Sequence, residues 1–368
     1  MQPFTISVPE AVLDDLHARL DRTRLPNQID GIGWTQGTER AYLADLLDHW
    51  RRRYDWRATE ARMNAIPQFV TEVGGQRIHL LHARSQRADA LPLLLIHGWP
   101  GSVFEFLDVI EPLTEHFHVV APSLPGFTFS GPTNERGWHP RRIARAFAEV
   151  MTDLGYERYG VQGGDWGSLI GANLADLYPE RVSGLHLNLV TAAPPSEALP
   201  ITDDEQHALD EVMRWRKTGL GYQEIQGTRP QSLGYGLEDS PAGLAAWIVE
   251  KFQEWSDGDI ADAFTFDRLL DNITAYWVTG TATSSLRIYW ERRQASRETL
   301  PRGRIDVPTC VARFPGEIFF PPRSWVEAAY NLVRWSTPAR GGHFAAMEAP
   351  SEFVDDVQKF FGELRRTS

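Results

Sequence analysis

Gly163-Gly164-Asp165-Trp166-Gly167 decides how the rest of the chain is read. It lies between residues 158–162 (Arg-Tyr-Gly-Val-Gln), which predict a short strand, and residues 168–175 (Ser-Leu-Ile-Gly-Ala-Asn-Leu-Ala), which predict a helix of small side chains. The glycines permit a sharp strand-to-helix turn, with a carboxylate at its apex. Taken alone, Asp165 could equally cap the helix. Its chemical alternative is nucleophilic attack. A serine attacking an alkyl carbon would leave an ether that water does not readily cleave. An aspartate leaves an ester, which water can cleave at its carbonyl. A carboxylate at this apex therefore points to displacement at sp³ carbon followed by hydrolysis.

The flanking sequence repeats the strand–helix alternation. Residues 91–96 form a continuous apolar run, as expected of a buried parallel strand, and lead into His97-Gly98-Trp99-Pro100-Gly101-Ser102. Further strands are expected at 117–122, 182–189, 307–314 and 332–335, with helices at 141–155, 323–332 and 350–364. This pattern predicts a doubly wound, mostly parallel sheet of the α/β-hydrolase fold, in which the strand–turn–helix at Asp165 is the nucleophile elbow. Ligands bind beyond the carboxyl ends of such strands, where His97, Asp165 and Asn188 fall. Four segments are expected: an N-terminal extension over 1–85, a first core part over 86–192, a helical lid over 193–300 and a second core part over 301–368. In the extension, helices are expected from Val8-Pro9 to Arg24, over 38–54 and over 56–65. A hairpin around Gly74-Gly75 then opens the sheet. The lid is expected to be helical over 203–218, 241–256 and, in shorter pieces, 266–290. It is rich in Trp, Tyr and Phe.

Composition narrows the function. With 37 basic and 49 acidic side chains the formal net charge is −12, so the chain has no general attraction for nucleic acid or anionic membrane. Its single cysteine, Cys310, rules out an intrachain disulfide and fits a reducing, cytoplasmic setting. No metal-ligand pattern of the CxxC or HExxH kind occurs, and no cofactor or metal is expected. The start, Met1-Gln2-Pro3-Phe4-Thr5, lacks signal-peptide character, and no apolar run is long enough to span a bilayer.

Asp165, Glu317 and His343 follow one another as nucleophile, acid and histidine in the order of the α/β-hydrolase triad, each after an expected strand. An ionised Asp needs no activation, so the expected task of His343 is to deprotonate water. Glu317 would orient the imidazole and stabilise the imidazolium. The position after the strand that follows the elbow offers Asn188 rather than a carboxylate. In this fold the oxyanion-hole amides come from the loop after the 91–96 strand, here Trp99, and from the residue after the nucleophile, Trp166.

Nearly the whole chain resembles the microsomal-type epoxide hydrolases. The resemblance is carried by the Trp34 region, Tyr54-Asp55-Trp56-Arg57, the His97–Ser102 loop and the Gly163–Ser168 elbow. It continues through Gly221-Tyr222-Gln223-Glu224-Ile225-Gln226-Gly227-Thr228-Arg229-Pro230 and residues 239–252. It implies that Asp165 is the nucleophile, His343 the base and Glu317 its partner, and that Tyr222 and Tyr289 of the lid bind the epoxide oxygen. Two neutral phenols aimed at one leaving oxygen also make chemical sense on their own. Tyr235 is the alternative candidate. The partners implied are a small epoxide, apolar and open to aryl groups, and water. No membrane anchor is expected, a homodimer is left open, and secondary metabolism is one setting that the resemblance admits. Haloalkane dehalogenation is the rival activity, since Trp166 stands where such enzymes bind halide. A hydrolase fold reused as a non-catalytic binding protein is the rival from another class.

Overall fold

The structure is a computed structural model and describes residues 1–195 and 202–367. Its frame is one nine-stranded sheet: β1 (Gln2–Phe4), β2 (Gln68–Val73), β3 (Gln76–Ala83), β4 (Leu91–Ile96), β5 (Phe117–Pro122), β6 (Tyr159–Gly163), β7 (Val182–Leu187), β8 (Ile305–Ala312) and β9 (Tyr330–Ser336). The spatial order is β1-β2-β3-β5-β4-β6-β7-β8-β9. The first three strands pair antiparallel, β3 joins β5 antiparallel, and the six strands from β5 to β9 are parallel. The mostly parallel, doubly wound α/β sheet is the one expected.

Register places the site. Ile96, Gly163, Leu187 and Val311 are paired in succession across β4, β6, β7 and β8, and Val311 pairs on to Trp335 of β9. The carboxyl ends of the parallel strands therefore stop level, and the loops carrying His97, Asp165 and Asn188 emerge together. The strand interiors have no surface left to expose. In β4, residues Leu93, Leu94, Leu95 and Ile96 are all fully buried, each contributing about 1.5–3 kcal/mol of apolar burial. Helices Pro140–Asp153 and Asp165–Leu177 pack together over β6 and β2, and Pro350–Thr367 packs with Leu107–Leu113 over β7.

The lid comprises, among the described residues, helices Asp203–Thr218, Gly221–Thr228, Pro230–Asp239, Pro241–Glu254, Ile260–Ala263, Phe266–Thr279 and Ala282–Ala295. Residues 196–201, within the expected lid, and residue 368 lie outside the described residues. Three of these helices were not expected: the single turn Ile260–Ala263 and the longer Gly221–Thr228 and Pro230–Asp239, of which the last two are the more telling. Their sequences carry Gly at several positions, which weakens helix propensity. Packing of both against Ala282–Ala295 supplies what propensity lacks. The expected run over 266–290 is two full helices broken at Gly280, which sits at φ 56° as a left-handed cap. β1 was also missed: three residues including Pro3 give little signal, and proline is tolerated because the strand lies at the sheet edge. Helices Glu10–Leu20 and Arg40–Arg52 of the leading segment lie against Pro241–Glu254 of the lid. No helix among the described residues is long and apolar enough to cross a membrane.

Candidate active site

Asp165 stands at the apex of the turn between β6 and the helix Asp165–Leu177, with φ 46°. A non-glycine residue in that left-handed region costs about 1–3 kcal/mol, which the surrounding packing must hold in place. The glycines around it explain how. A methyl on Gly167 would lie 1.9 Å from the Ile96 carbonyl oxygen, and one on Gly98 would lie 2.1 Å from Asp165 Oδ1. Bare backbone at both positions lets the elbow and the His97–Ser102 loop approach each other.

That approach delivers donors to the carboxylate. The Trp99 N–H donates to Asp165 Oδ1 at 2.8 Å, and the Trp166 N–H also hydrogen-bonds the carboxyl. The loop bearing Trp99 is fixed from several sides. His97 bonds the Gly98 carbonyl through Nδ1 and accepts from the Leu124 N–H through Nε2. Burial pushes its pKa down to about 4, so it is a neutral clamp. From the lid helix Phe266–Thr279, Asn272 donates to the Pro100 carbonyl at 2.8 Å and Tyr276 to the Gly101 carbonyl at 2.6 Å.

His343 approaches from the other side. Its Nδ1 lies 2.6 Å from Glu317 Oε1, and its Nε2 lies 3.6 Å from Asp165 Oδ2. The three residues that sequence order suggested are thus brought together. Glu317 Oε1 also accepts from the Ile318 N–H at 2.8 Å. Both loops rest on one turn at the end of the lid helix Pro241–Glu254. The His343 N–H donates to the Trp255 carbonyl at 2.9 Å, and the Gly341 N–H donates to Asp257 Oδ2 at 2.9 Å. A methyl on Gly316 or Gly342 would meet the 255–257 backbone at 2.6–2.7 Å. The lid thereby positions the residues next to both Glu317 and His343.

Charges follow from this geometry. Burial pushes the Asp165 pKa up, opposed by the positive charge of His343 and the two backbone donors. Burial alone would lower the His343 pKa, but the Glu317 and Asp165 carboxylates override it and raise it to about 9. The Glu317 and Asp165 carboxylates thus favour the imidazolium form of His343 at neutral pH.

Tyr222 and Tyr289 close over Asp165 from the lid helices Gly221–Thr228 and Ala282–Ala295. The Tyr222 ring stacks on Trp99 with centroids 5.4 Å apart, and Tyr289 meets Trp166 edge-on at 4.6 Å. The two phenol rings are 5.8 Å apart. Burial pushes both pKa values well up, so both remain protonated donors. The buried Tyr289 hydroxyl faces the Trp166 indole N–H and the Tyr222 hydroxyl without a close, well-aligned hydrogen bond to either. Such groups are costly to leave unmade and suit a polar ligand. Tyr235, the alternative candidate, is 71% exposed and takes no part. Lys251, which the sequence did not single out, is buried between Glu250 and Glu254, with Nζ 4.8 Å from the centre of the Tyr222 ring.

Elsewhere among the described residues, His186, Cys310 and Asp356 bring possible ligand atoms within 4.8 Å. Asp356 already accepts from His186 at 3.0 Å and Ser336 at 2.7 Å and pairs with Arg334 at 3.2 Å. With a guanidinium already neutralising the carboxylate, the cluster is an ion-pair network rather than a metal cradle.

Comparison with known proteins agrees with the geometry. A model of the epoxide hydrolase N terminus matches residues 1–106, and one of the alpha/beta hydrolase fold matches residues 92–218. A Stigmatella aurantiaca protein that carries the epoxide hydrolase name is 47% identical over 99% of this chain and 85% of its own length. The chain belongs to the epoxide hydrolase family. Its likeness to that family extends to Epoxide hydrolase 1 of Sus scrofa, 35% identical over 100% of this chain and 89% of that protein. Among solved structures, the juvenile hormone epoxide hydrolase of the silkworm Bombyx mori superposes with a TM-score of 0.92 at 32% identity, covering 100% of this chain and 95% of that one. The chain is accordingly a hydrolase of the epoxide hydrolase class.

Proposed function

We propose that the protein converts an apolar epoxide, aryl-substituted ones included, to a vicinal diol through an ester on Asp165. In the first step Asp165 Oδ2, the oxygen not held by Trp99, attacks an oxirane carbon. The C–O bond breaks, its electron pair passes to the ring oxygen, and Tyr222 and Tyr289 hydrogen-bond and protonate that oxygen; the proton that the His343 imidazolium then gives up restores the phenol. In the second step water attacks Asp165 Cγ while His343 Nε2 takes its proton. The oxyanion is held by the Trp99 and Trp166 N–H groups. Collapse breaks the bond from Cγ to the substrate-bearing oxygen, which takes the proton from His343 and leaves as the diol; Asp165 keeps one oxygen from water, and its carboxyl proton then passes to His343.

The observation that carries this mechanism is a carboxylate held by two backbone donors, with a Glu317-paired imidazole 3.6 Å away and two protonated phenols above it. Ester formation itself supports the timing of the base. It removes the Asp165 charge, one of the influences that raise the His343 pKa, so the imidazole is released to act when water must be deprotonated. The apolar preference rests on Trp99, Trp166 and Trp255 around the phenols. No protein cofactor enters either step.

A single turnover in ¹⁸O-water, with enzyme in excess over styrene oxide, tests the ester. The diol of that first turnover is expected to carry unlabelled oxygen and Asp165 to carry the label. Solvent label in the first diol would mean direct attack by water. Release of chloride from a chloroalkane in place of diol formation would favour dehalogenation.

The phenols make a separate prediction. Tyr222→Phe and Tyr289→Phe should each slow ester formation by about 10²-fold, the scale for losing one donor to a developing oxyanion. Ester hydrolysis should be spared. Rapid-quench measurement of both steps checks this; ester formation at the wild-type rate in both variants would remove the phenols from the mechanism.

A further inference from the structure

Beside the nucleophile lies a cavity of about 20 Å³ whose wall includes Glu105, Gln162, Asp165, Asn188 and His343. That volume admits about one water molecule and no organic substrate. Two features of its wall are unexplained by the nucleophile, base, acid and phenols.

The first is Glu105. It sits on the short turn Val103–Phe106, just past the His97–Ser102 loop, in a Phe-Glu-Phe sequence where a surface acid would be unremarkable. Its carboxyl instead folds back beneath that loop. A methyl on Gly101 would lie 1.4 Å from Glu105 Oε1, so the carboxyl occupies the space that any side chain at 101 would need. The chain thus places a third carboxyl within electrostatic reach of Asp165 and His343, and burial pushes its pKa up to about 8. The second feature is Gln162. Its Nε2 donates to Asn188 Oδ1 at 2.8 Å, which fixes the amide orientation, and its buried Oε1 has no hydrogen-bond partner among the described residues. An unpartnered buried acceptor on the wall of a water-sized cavity indicates a water that donates to it or to its neighbour.

We propose that Glu105 is the group that orients the hydrolytic water. One of its oxygens accepts a hydrogen bond from one water proton, while the other proton points to His343 Nε2. The water lone pair is thereby aimed at Asp165 Cγ. When the O–C bond forms, the second proton moves to His343 and the first stays with the oxygen that becomes part of the Asp165 carboxyl. Gln162 and Asn188 complete the cradle. The role needs an acceptor oxygen, which a carboxyl offers whether or not it is ionised. It also accounts for the side of attack: the cavity lies among the ends of β4, β6 and β7, while the phenols cover Asp165 from the lid.

This role rests on the ester mechanism proposed above, and the test separates the two. Ester formation and decay are followed by rapid quench and intact mass with styrene oxide in wild type, Glu105→Met and Glu105→Gln. Methionine keeps the volume and removes the acceptor. It should leave ester formation unchanged and slow ester decay by about 10–100-fold, the scale of one hydrogen bond to a charge-bearing transition state. The ester should then accumulate, and kcat and KM should fall together. Glutamine keeps an acceptor oxygen and should restore most of the decay rate. Gly101→Ala, which displaces the carboxyl while Glu105 remains, should give the same selective slowing as Glu105→Met and provides a second reading should Glu105→Met not fold. Wild-type decay rates in both Glu105→Met and Gly101→Ala, or a glutamine variant as slow as methionine, would overturn the role of Glu105. Absence of any ester in wild type would instead overturn the ester mechanism itself.

Discussion

Asp165→Ala should abolish diol formation, with a loss on the order of 10⁴-fold or more, because the proposed nucleophile is removed and no neighbour can replace it. Glu317 is committed to His343 and to the Ile318 N–H. Glu105 lies on the wall of a cavity too small for substrate. Loss of activity is informative only if the fold survives, and the energetics favour survival. The variant frees the Trp99 and Trp166 N–H groups and deprives the imidazolium of one carboxylate partner, at a cost of about 1–3 kcal/mol for each unmade buried hydrogen bond. It also relieves the burial of a carboxylate whose pKa is already pushed up by that burial. Alanine tolerates φ 46° less well than aspartate, so a modest fall in melting temperature is expected, not unfolding. The measurement is diol production from styrene oxide alongside a thermal melt. A folded variant that retains activity within tenfold of wild type would remove Asp165 from the mechanism.

The elements that made this site legible in the sequence were those whose chemistry is local. Gly163-Gly164-Asp165-Trp166-Gly167 needs its glycines because strand, elbow and the neighbouring loop touch through backbone, and such contacts leave their mark as small residues at fixed spacing. The buried strands β4 and β5 were visible as apolar runs, and their boundaries match those expected. Asp165, Glu317 and His343 could be ordered along the chain, but their meeting depends on β6, β8 and β9 ending level, a property of register that no single stretch encodes. The helix carrying Tyr222 could not be read from propensity, since Gly221 and Gly227 argue against a helix that its packing against Ala282–Ala295 and Pro230–Asp239 sustains. Glu105 was hidden for a different reason. Its sequence context is an ordinary amphipathic turn, and only the fold shows that its carboxyl fills the place vacated by the absent side chain of Gly101. The seating of the His343 loop on Trp255 and Asp257 was equally invisible, because the bonds run to backbone groups far away in sequence.

His343→Gln separates the two chemical steps. Ester formation needs an ionised Asp165 and no base, so it should persist. Ester hydrolysis needs a proton acceptor for water and should slow by about 10²–10⁴-fold. The protein should then accumulate a covalent adduct whose mass is that of the protein plus one epoxide, absent from wild type under turnover. Failure to find that adduct while Asp165 remains intact would count against the base assignment. Two pH effects should accompany it. The positive charge of His343 holds the Asp165 pKa down against burial, so losing it raises that pKa further, and the acid limb of ester formation should move to higher pH. Stability should shift as well. In wild type the His343 pKa is raised from its ordinary value of 6.5 to about 9, so folding binds a proton more tightly than the unfolded chain does. The resulting stabilisation is fully present below pH about 6.5 and is lost as pH rises through about 9. Melting temperatures of wild type and variant, measured from pH 6 to 10, should therefore converge as pH rises if Glu317 and Asp165 hold an imidazolium between them. A difference that stays constant across that range would mean that His343 is neutral in the resting protein, and that the base is ready before the ester forms rather than released by it.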